Sequence, residues 1–234
     1  MKQRLQSLAQ NSSELLIEAS PGQSVSSARI HQGSVGFDII WSEETPALAG
    51  YRSVFFDPMV SGKLSHLSIN LTENLAGGER VAPVATALLA FGASIASRLS
   101  AYAVMWTPGK IVSDPAFFAQ SVESYAKGEV FPVLVTVDFD YNDDERALRS
   151  SGLMWFSGQE IEVSGCGLQG QDLVRRAVRL VHDIATNGAV VVQQQVPDLD
   201  PDKRIALIPN PDGDILHCEI YSKVEKTTGV TSLH

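Results

Sequence analysis

Residues 160–175 read EIEVSGCGLQGQDLVR, and at their centre Gly165-Cys166-Gly167-Leu168-Gln169-Gly170 has the G-x-G-x-x-G spacing of a dinucleotide-binding turn. Glycines at that spacing let backbone N–H groups approach a phosphate at the positive end of a following helix. Gly165, Cys166, Gly167, Gly170 and Arg175 are therefore a candidate anion site, for a nucleotide phosphate or another small anionic ligand. Cys166 or Arg175 would assist there, the thiol made more acidic by the helix terminus. The flanks fit a full dinucleotide fold poorly. The preceding Glu160-Ile161-Glu162-Val163 is half polar, and the next strand ends in Gln193-Gln194-Gln195 rather than in an acid that could hold a ribose. The competing reading is a plain glycine turn entering a helix.

A second chemical candidate is the acidic run DFDYNDDERALR, where Asp138, Asp140 and Asn142 occupy the first three ligand positions of a calcium loop. The comparison fails at Asp143, where the sharp turn needs glycine, and at Arg149, where a bidentate glutamate is required. A solvated acidic loop is expected, and no metal site is assigned. His31, His66, His182, His217 and His234 are scattered, with no H-x-H or H-E-x-x-H pair to seed zinc binding. No G-x-S-x-G elbow marks a hydrolase nucleophile, so no catalytic residue is assigned and no cofactor is expected. Arg175, Arg179 and His182 share one helix face at i, i+4 and i+7 and could receive an anionic group, although such stripes are usually just solvated.

The elements that would carry these residues are clearest from Ser151 to Gln194. Leu153, Trp155, Ile161 and Val163 alternate around Ser157-Gly158, which predicts two short antiparallel strands. From Asp172 the period changes. Leu173, Ala177, Leu180 and Ile184, with Val174, Val178, Val181 and Ala185, form an apolar stripe on a helix of about five turns, with Arg175, Arg176, Arg179, His182 and Asp183 opposite. Asn187-Gly188 stops it, and Ala189 to Val192 reads as a buried strand.

Elsewhere, residues 4–18 predict a helix, and Ile30–Trp41, Tyr51–Asp57 and Leu64–Thr72 predict an antiparallel meander of strands. Gly77-Gly78 breaks the chain, and Val81 to Leu99 predicts a helix with Pro83 in its first turn. Tyr102–Trp106, a helix opened by Ser113-Asp114-Pro115, and Phe131–Val137 predict a strand-helix-strand unit with parallel strands. Arg204–Ile208 and Ile215–Tyr221 predict a hairpin through Asn210-Pro211-Asp212-Gly213-Asp214. These elements make an α+β fold: a mixed, mostly antiparallel sheet with three or four packed helices. One domain is expected over 1–224, with a subdomain split near 77 as the alternative and a frayed tail at 225–234.

Bulk properties narrow the partners. A net charge of −9 in 234 residues disfavours nucleic acid and anionic membrane, which need a basic surface. A basic protein partner or a small anionic ligand is more compatible. Two cysteines, Cys166 and Cys218, make no disulfide framework, and MKQRLQSLAQNSSELL lacks the apolar core of a signal peptide, so a cytoplasmic location is expected. The most apolar stretch, Val81 to Trp106, contains Pro83 and Arg98 and reads as a buried helix and strand rather than a membrane span.

Two blocks, AYAVMWTPGKIVSDPAFF at 101–118 and the Leu153–Gln194 core running into the terminal hairpin, resemble the family known as domain of unknown function 4261. The resemblance covers roughly residues 101–220, including Trp106, Ser113, Asp114 and Pro115. It implies an order of segments and brings no site residues. With no catalytic signature beside it, the expected function is a non-catalytic binding or protein-interaction domain. The alternative is an enzyme binding a small molecule or nucleotide phosphate at the Gly165–Gly170 loop.

Overall fold

The structure is a computed structural model that describes residues 15–16, 26–57, 62–144, 146–165, 167–168 and 170–222. The described residues form an α+β fold in which thirteen strands lie in three mostly antiparallel sheets with five α-helices. The expected class holds, but the single sheet is divided into three.

The first sheet has the order β1-β2-β3-β5: β1 (Leu15–Leu16), β2 (Ser26–Gln32), β3 (Val35–Ser42) and β5 (His66–Leu71). The expected strand Ile30–Trp41 is instead a hairpin, turned at Gly33 with φ +62, a conformation that costs glycine little. Ala28, Ile30, Phe37 and Ile39 alternate inward, and Phe37 stacks on Phe91 at 4.4 Å between centroids. Phe91 belongs to α1 (Ala82–Arg98), so this contact crosses the Gly77-Gly78 break. Most of the expected helix over 4–18 lies outside the described residues, but Leu15–Leu16 within it pairs antiparallel with β2.

The second sheet joins β4 (Arg52–Val54), β6 (Val104–Trp106) and β7 (Ile111–Ser113), with β4 parallel to β7. β4 thus leaves the expected meander, in which β3 and β5 pair directly. Asp114 opens α2 (Pro115–Ala126) as foreseen, its carboxylate accepting from Phe117 N at 2.8 Å. Phe131–Val137 does not form a strand: Val133–Thr136 is one helical turn, α3, and Phe131, Val133, Val135 and Val137 are all buried. The strand-helix-strand unit over 102–137 is therefore absent. A continuous apolar run satisfies a buried turn as readily as a buried strand.

The third sheet positions everything of interest. Its order is β11-β12-β13-β10-β9-β8, from β8 (Asp138–Asn142), β9 (Ala147–Ser151), β10 (Glu160–Gly165), β11 (Gln194–Pro197), β12 (Lys203–Pro209) and β13 (Ile215–Ser222). All neighbours are antiparallel except β10 and β13. One face is apolar, with Leu148, Ile161, Val163, Ile205, Leu207, Leu216 and Cys218 buried against α5 (Gly170–Asn187). Leu173, Ala177, Leu180, Val181 and Ile184 of α5 complete that layer, the four larger side chains each worth about 1.5–3 kcal/mol of gross transfer free energy.

Leu153 and Trp155 lie not on a strand but on α4 (Leu153–Ser157), bracketed by left-handed Gly152 (φ +107) and Gly158 (φ +81). The Glu160 carboxylate folds back onto its first turn, accepting from Gly152 N at 2.7 Å, Met154 N at 3.0 Å and Leu153 N at 3.3 Å, and from the Ser150 hydroxyl. Four donors on one acid make this turn helical. Ala189–Val192 is also not a strand. The buried Gln159 amide takes the place of a neighbouring strand there: Val190 N donates to its Oε1 at 3.1 Å, and its Nε2 donates to Val190 O at 3.2 Å and Gly213 O at 3.0 Å. The terminal hairpin forms as expected, with Gly213 at φ +75 and its N–H bonded to Asn210 O.

Candidate functional site

Strand register assembles a surface that no linear motif displays. On the side of the third sheet away from α5, successive strands bring together Asp140, Arg149, Glu162, His217 and Ile208 in one row. The next row runs Asn142, Ala147, Ser164, Glu219 and Ala206 by the same pairings. With Asp138, Glu160 and Arg204 on the same face, five carboxylates stand against three guanidinium groups, Arg52 being paired with Asp138. Asp140 and Glu219 are exposed, and the adjoining β8–β9 turn adds exposed Asp143 and Asp144. Within the row, Arg149 Nε donates to Glu162 Oε2 at 2.6 Å, and His217 Nδ1 lies 3.2 Å from Glu162 Oε1. Glu162 thus sits between a cation and an imidazole, and the face keeps its acidic balance outside that trio.

Several acids have structural duties. Asp138 pairs with Arg52 of β4, tying the second sheet to the third. Asp198, in the acidic segment after β11, is buried with Arg176 in a bidentate pair: Nε to Oδ1 and Nη2 to Oδ2, both 2.7 Å. Arg176 is therefore on the buried face of α5, contrary to its expected outward position, and its Nη1 also donates to Asp172 O at 3.0 Å. Burial opposes ionisation of Asp198, but donation from Arg176 and from the N–H groups of Leu199 and Asp200 outweighs it and holds the carboxyl below its usual range.

The calcium-loop comparison fails geometrically as well. Asp138, Asp140 and Asn142 follow one another on an extended strand, where the first and third stand about 13 Å apart, too far for all three to take up the first positions of a calcium loop. Asn142 Oδ1 instead accepts from Asp144 N at 3.0 Å to shape the turn. Among the described residues, no group of three His, Cys, Asp or Glu side chains is placed to hold a metal ion.

In the glycine string, Gly165 ends β10, and a Cβ there would lie 2.9 Å from Leu168 Cδ1 and 3.0 Å from Ile220 Cβ. Packing against β13 accounts for that glycine. Gly167 is exposed at φ +75, Gly170 begins α5 with open space around it, and Cys166 lies outside the described residues. Arg175 is exposed on the first turns of α5. The remaining members of its stripe have neighbours: Arg179 donates to Pro197 O at 3.2 Å, and His182 Nδ1 accepts from Phe131 N at 3.1 Å.

The histidines do not gather. His66 Nδ1 is 2.9 Å from Glu44 O, His217 is on the acidic face, and His234 lies outside the described residues. His31 lines an open cleft of about 430 Å³ with Arg29, Glu73 and Asn74. There the Arg29 guanidinium chelates Asp38 at 2.7 and 3.1 Å, and no hydrogen bond joins His31 to Glu73 among the described residues. Cys218 is a free, fully buried thiol whose pKa is pushed up by burial first and by the nearby Glu162 charge second. Glu160, Gln159 and Asp198 were not foreseeable as organising groups, since each meets partners that the fold alone brings near.

No family model, curated protein or solved structure matches this chain. The class these observations define is an α+β protein built on a one-sided six-stranded sheet, with no helix among the described residues long and apolar enough to cross a membrane.

Proposed function

We propose that this protein is a non-catalytic cytoplasmic interaction protein that presents the open acidic face of its six-stranded sheet to a basic protein partner. The observation that carries the reading is the registered placement of exposed Asp140 and Glu219, beside the acidic β8–β9 turn, on a face whose reverse side is sealed by α5. A flat array of carboxylates attracts a cationic surface over about one Debye length, roughly 8 Å at physiological salt, and speeds encounter.

The test is binding of a fluorescently labelled arginine-rich peptide, followed by anisotropy at low and high salt. Asp140→Lys/Glu219→Lys should weaken binding by about tenfold or more at low salt, and the effect should shrink as salt rises. Asp212→Lys, on the exposed β12–β13 turn and outside the two registered rows, should have a much smaller effect. Equal losses in the two variants, or binding insensitive to salt, would overturn the reading.

A further inference from the structure

We infer that His217 makes the open face of the six-stranded sheet sensitive to pH: proton uptake by its imidazole weakens the hold of that face on a cationic partner. This regulation rests on the face being the site of the cationic partner, as proposed.

Of the histidines among the described residues, His217 alone stands on this face, since His31 and His66 belong to the first sheet and His182 to α5. Register sets it opposite Glu162 of β10, with its side chain 41% exposed and Nδ1 3.2 Å from Glu162 Oε1. The other oxygen of Glu162 accepts from Arg149 Nε at 2.6 Å. Glu160 and Ser164 flank Glu162 on the same side of β10, and the Glu160 carboxylate is turned onto the N–H groups of Gly152 and Met154. On β12 the residue opposite His217 is uncharged Ile208, followed by Ala206 and, a row further, Arg204. The one charge on β13 itself is exposed Glu219.

With a neutral imidazole, Arg149, Glu162 and His217 together carry no net charge, so the attraction comes from Glu219, Asp140 and the acidic β8–β9 turn. Imidazole is the side chain that gains a proton as pH falls from about 7.5 to about 5.5, while carboxylates and guanidinium groups keep their charge. Both nitrogens of the charged ring donate, so Nδ1 stays turned to Glu162 and the added charge stays on the face. Glu219, two residues along the strand, is about 6.7 Å from that charge, inside the Debye length of about 8 Å at physiological salt. Asp140, three strand spacings away, is about 14 Å off and largely screened from it. One proton therefore offsets most of what Glu219 supplies and leaves Asp140 in place, so affinity falls without vanishing.

The test is anisotropy of the labelled arginine-rich peptide at low salt, at pH 7.5 and pH 5.5, with the full chain, His217→Gln and His217→Arg. The wild type should lose affinity by roughly threefold or more at the lower pH. His217→Gln, which keeps a donor for Glu162 and cannot titrate, should show little of that loss, and His217→Arg should bind weakly at both pH values. The other histidines are common to all three proteins, so the difference between wild type and His217→Gln isolates this one. Salt-sensitive binding with the same pH dependence in His217→Gln as in wild type, or a His217→Arg variant that binds at pH 7.5 as tightly as wild type, would overturn the inference and leave the acidic-face reading standing. An absence of salt-sensitive binding would overturn both.

Discussion

Replacing Asp198 with alanine removes one half of a buried pair whose side chains are 7% exposed at Arg176 and 0% at Asp198. The guanidinium would keep only its bond to Asp172 O. The N–H groups of Leu199 and Asp200 would also lose their acceptor, while Arg179 would still hold Pro197 O at the end of β11. Breaking a buried pair from one side costs about 3–5 kcal/mol, against at most about 1 kcal/mol for an exposed pair. In a chain of this size that corresponds to a fall in Tm of roughly 6–20 °C. Urea denaturation followed by far-ultraviolet circular dichroism would measure it, provided the m-value stays constant. Arg176→Met/Asp198→Leu should recover most of the loss, because an apolar pair of similar volume leaves no stranded charge. The sign of the pH dependence follows from the depressed carboxyl. The stabilisation is fully present above the unfolded carboxylate pKa, about 3.9, and is lost as pH falls through the lower folded value. The gap between wild type and Asp198→Ala should therefore narrow in that acid window. A loss below about 1 kcal/mol at neutral pH, or a double variant no better than the single one, would refute the argument.

Three further outcomes are expected. Gly109→Ala should be strongly destabilising, since its Cβ would lie 2.3 Å from the backbone oxygen of Thr136, whereas Gly92→Ala, with nothing within 4 Å inside α1, should raise stability by about 0.5–1 kcal/mol in the same denaturation assay. Gln159→Leu strands Val190 N–H and the oxygens of Val190 and Gly213 at about 1–3 kcal/mol for each group that water cannot reach, and hydrogen exchange at the Val190 amide should accelerate. In a Cys166→Ser background, Cys218 should not react with an aromatic disulfide reagent at pH 8 until the protein unfolds, because burial pushes its thiol pKa well above that pH.

What the sequence determined by itself is local. The 3.6-residue period of Leu173, Ala177, Leu180 and Ile184 made α5 legible, Asp114-Pro115 made the start of α2 legible, and Asn210 to Gly213 made the last turn legible, because each signal is completed within a few residues. Tertiary structure decided the rest. Leu153 and Trp155 alternate like a strand, but the Glu160 carboxylate gathers the N–H groups of one helical turn. Phe131 to Val137 is apolar enough for strand or helix, and half-exposed Leu134, flanked by buried Val133 and Val135, is as apolar as its neighbours, so the sequence shows no periodicity that would distinguish them. Arg176 looks solvated by type, yet Asp198, 22 residues later, makes the inward position tolerable. The acidic face is the extreme case. Asp140, Arg149, Glu162 and His217 lie on four strands, and their adjacency arises only from the registers in which β8, β9, β10 and β13 pair. A side chain's type is written in the chain, but its neighbours across a sheet are set by long-range pairing, which one sequence does not encode in any local pattern.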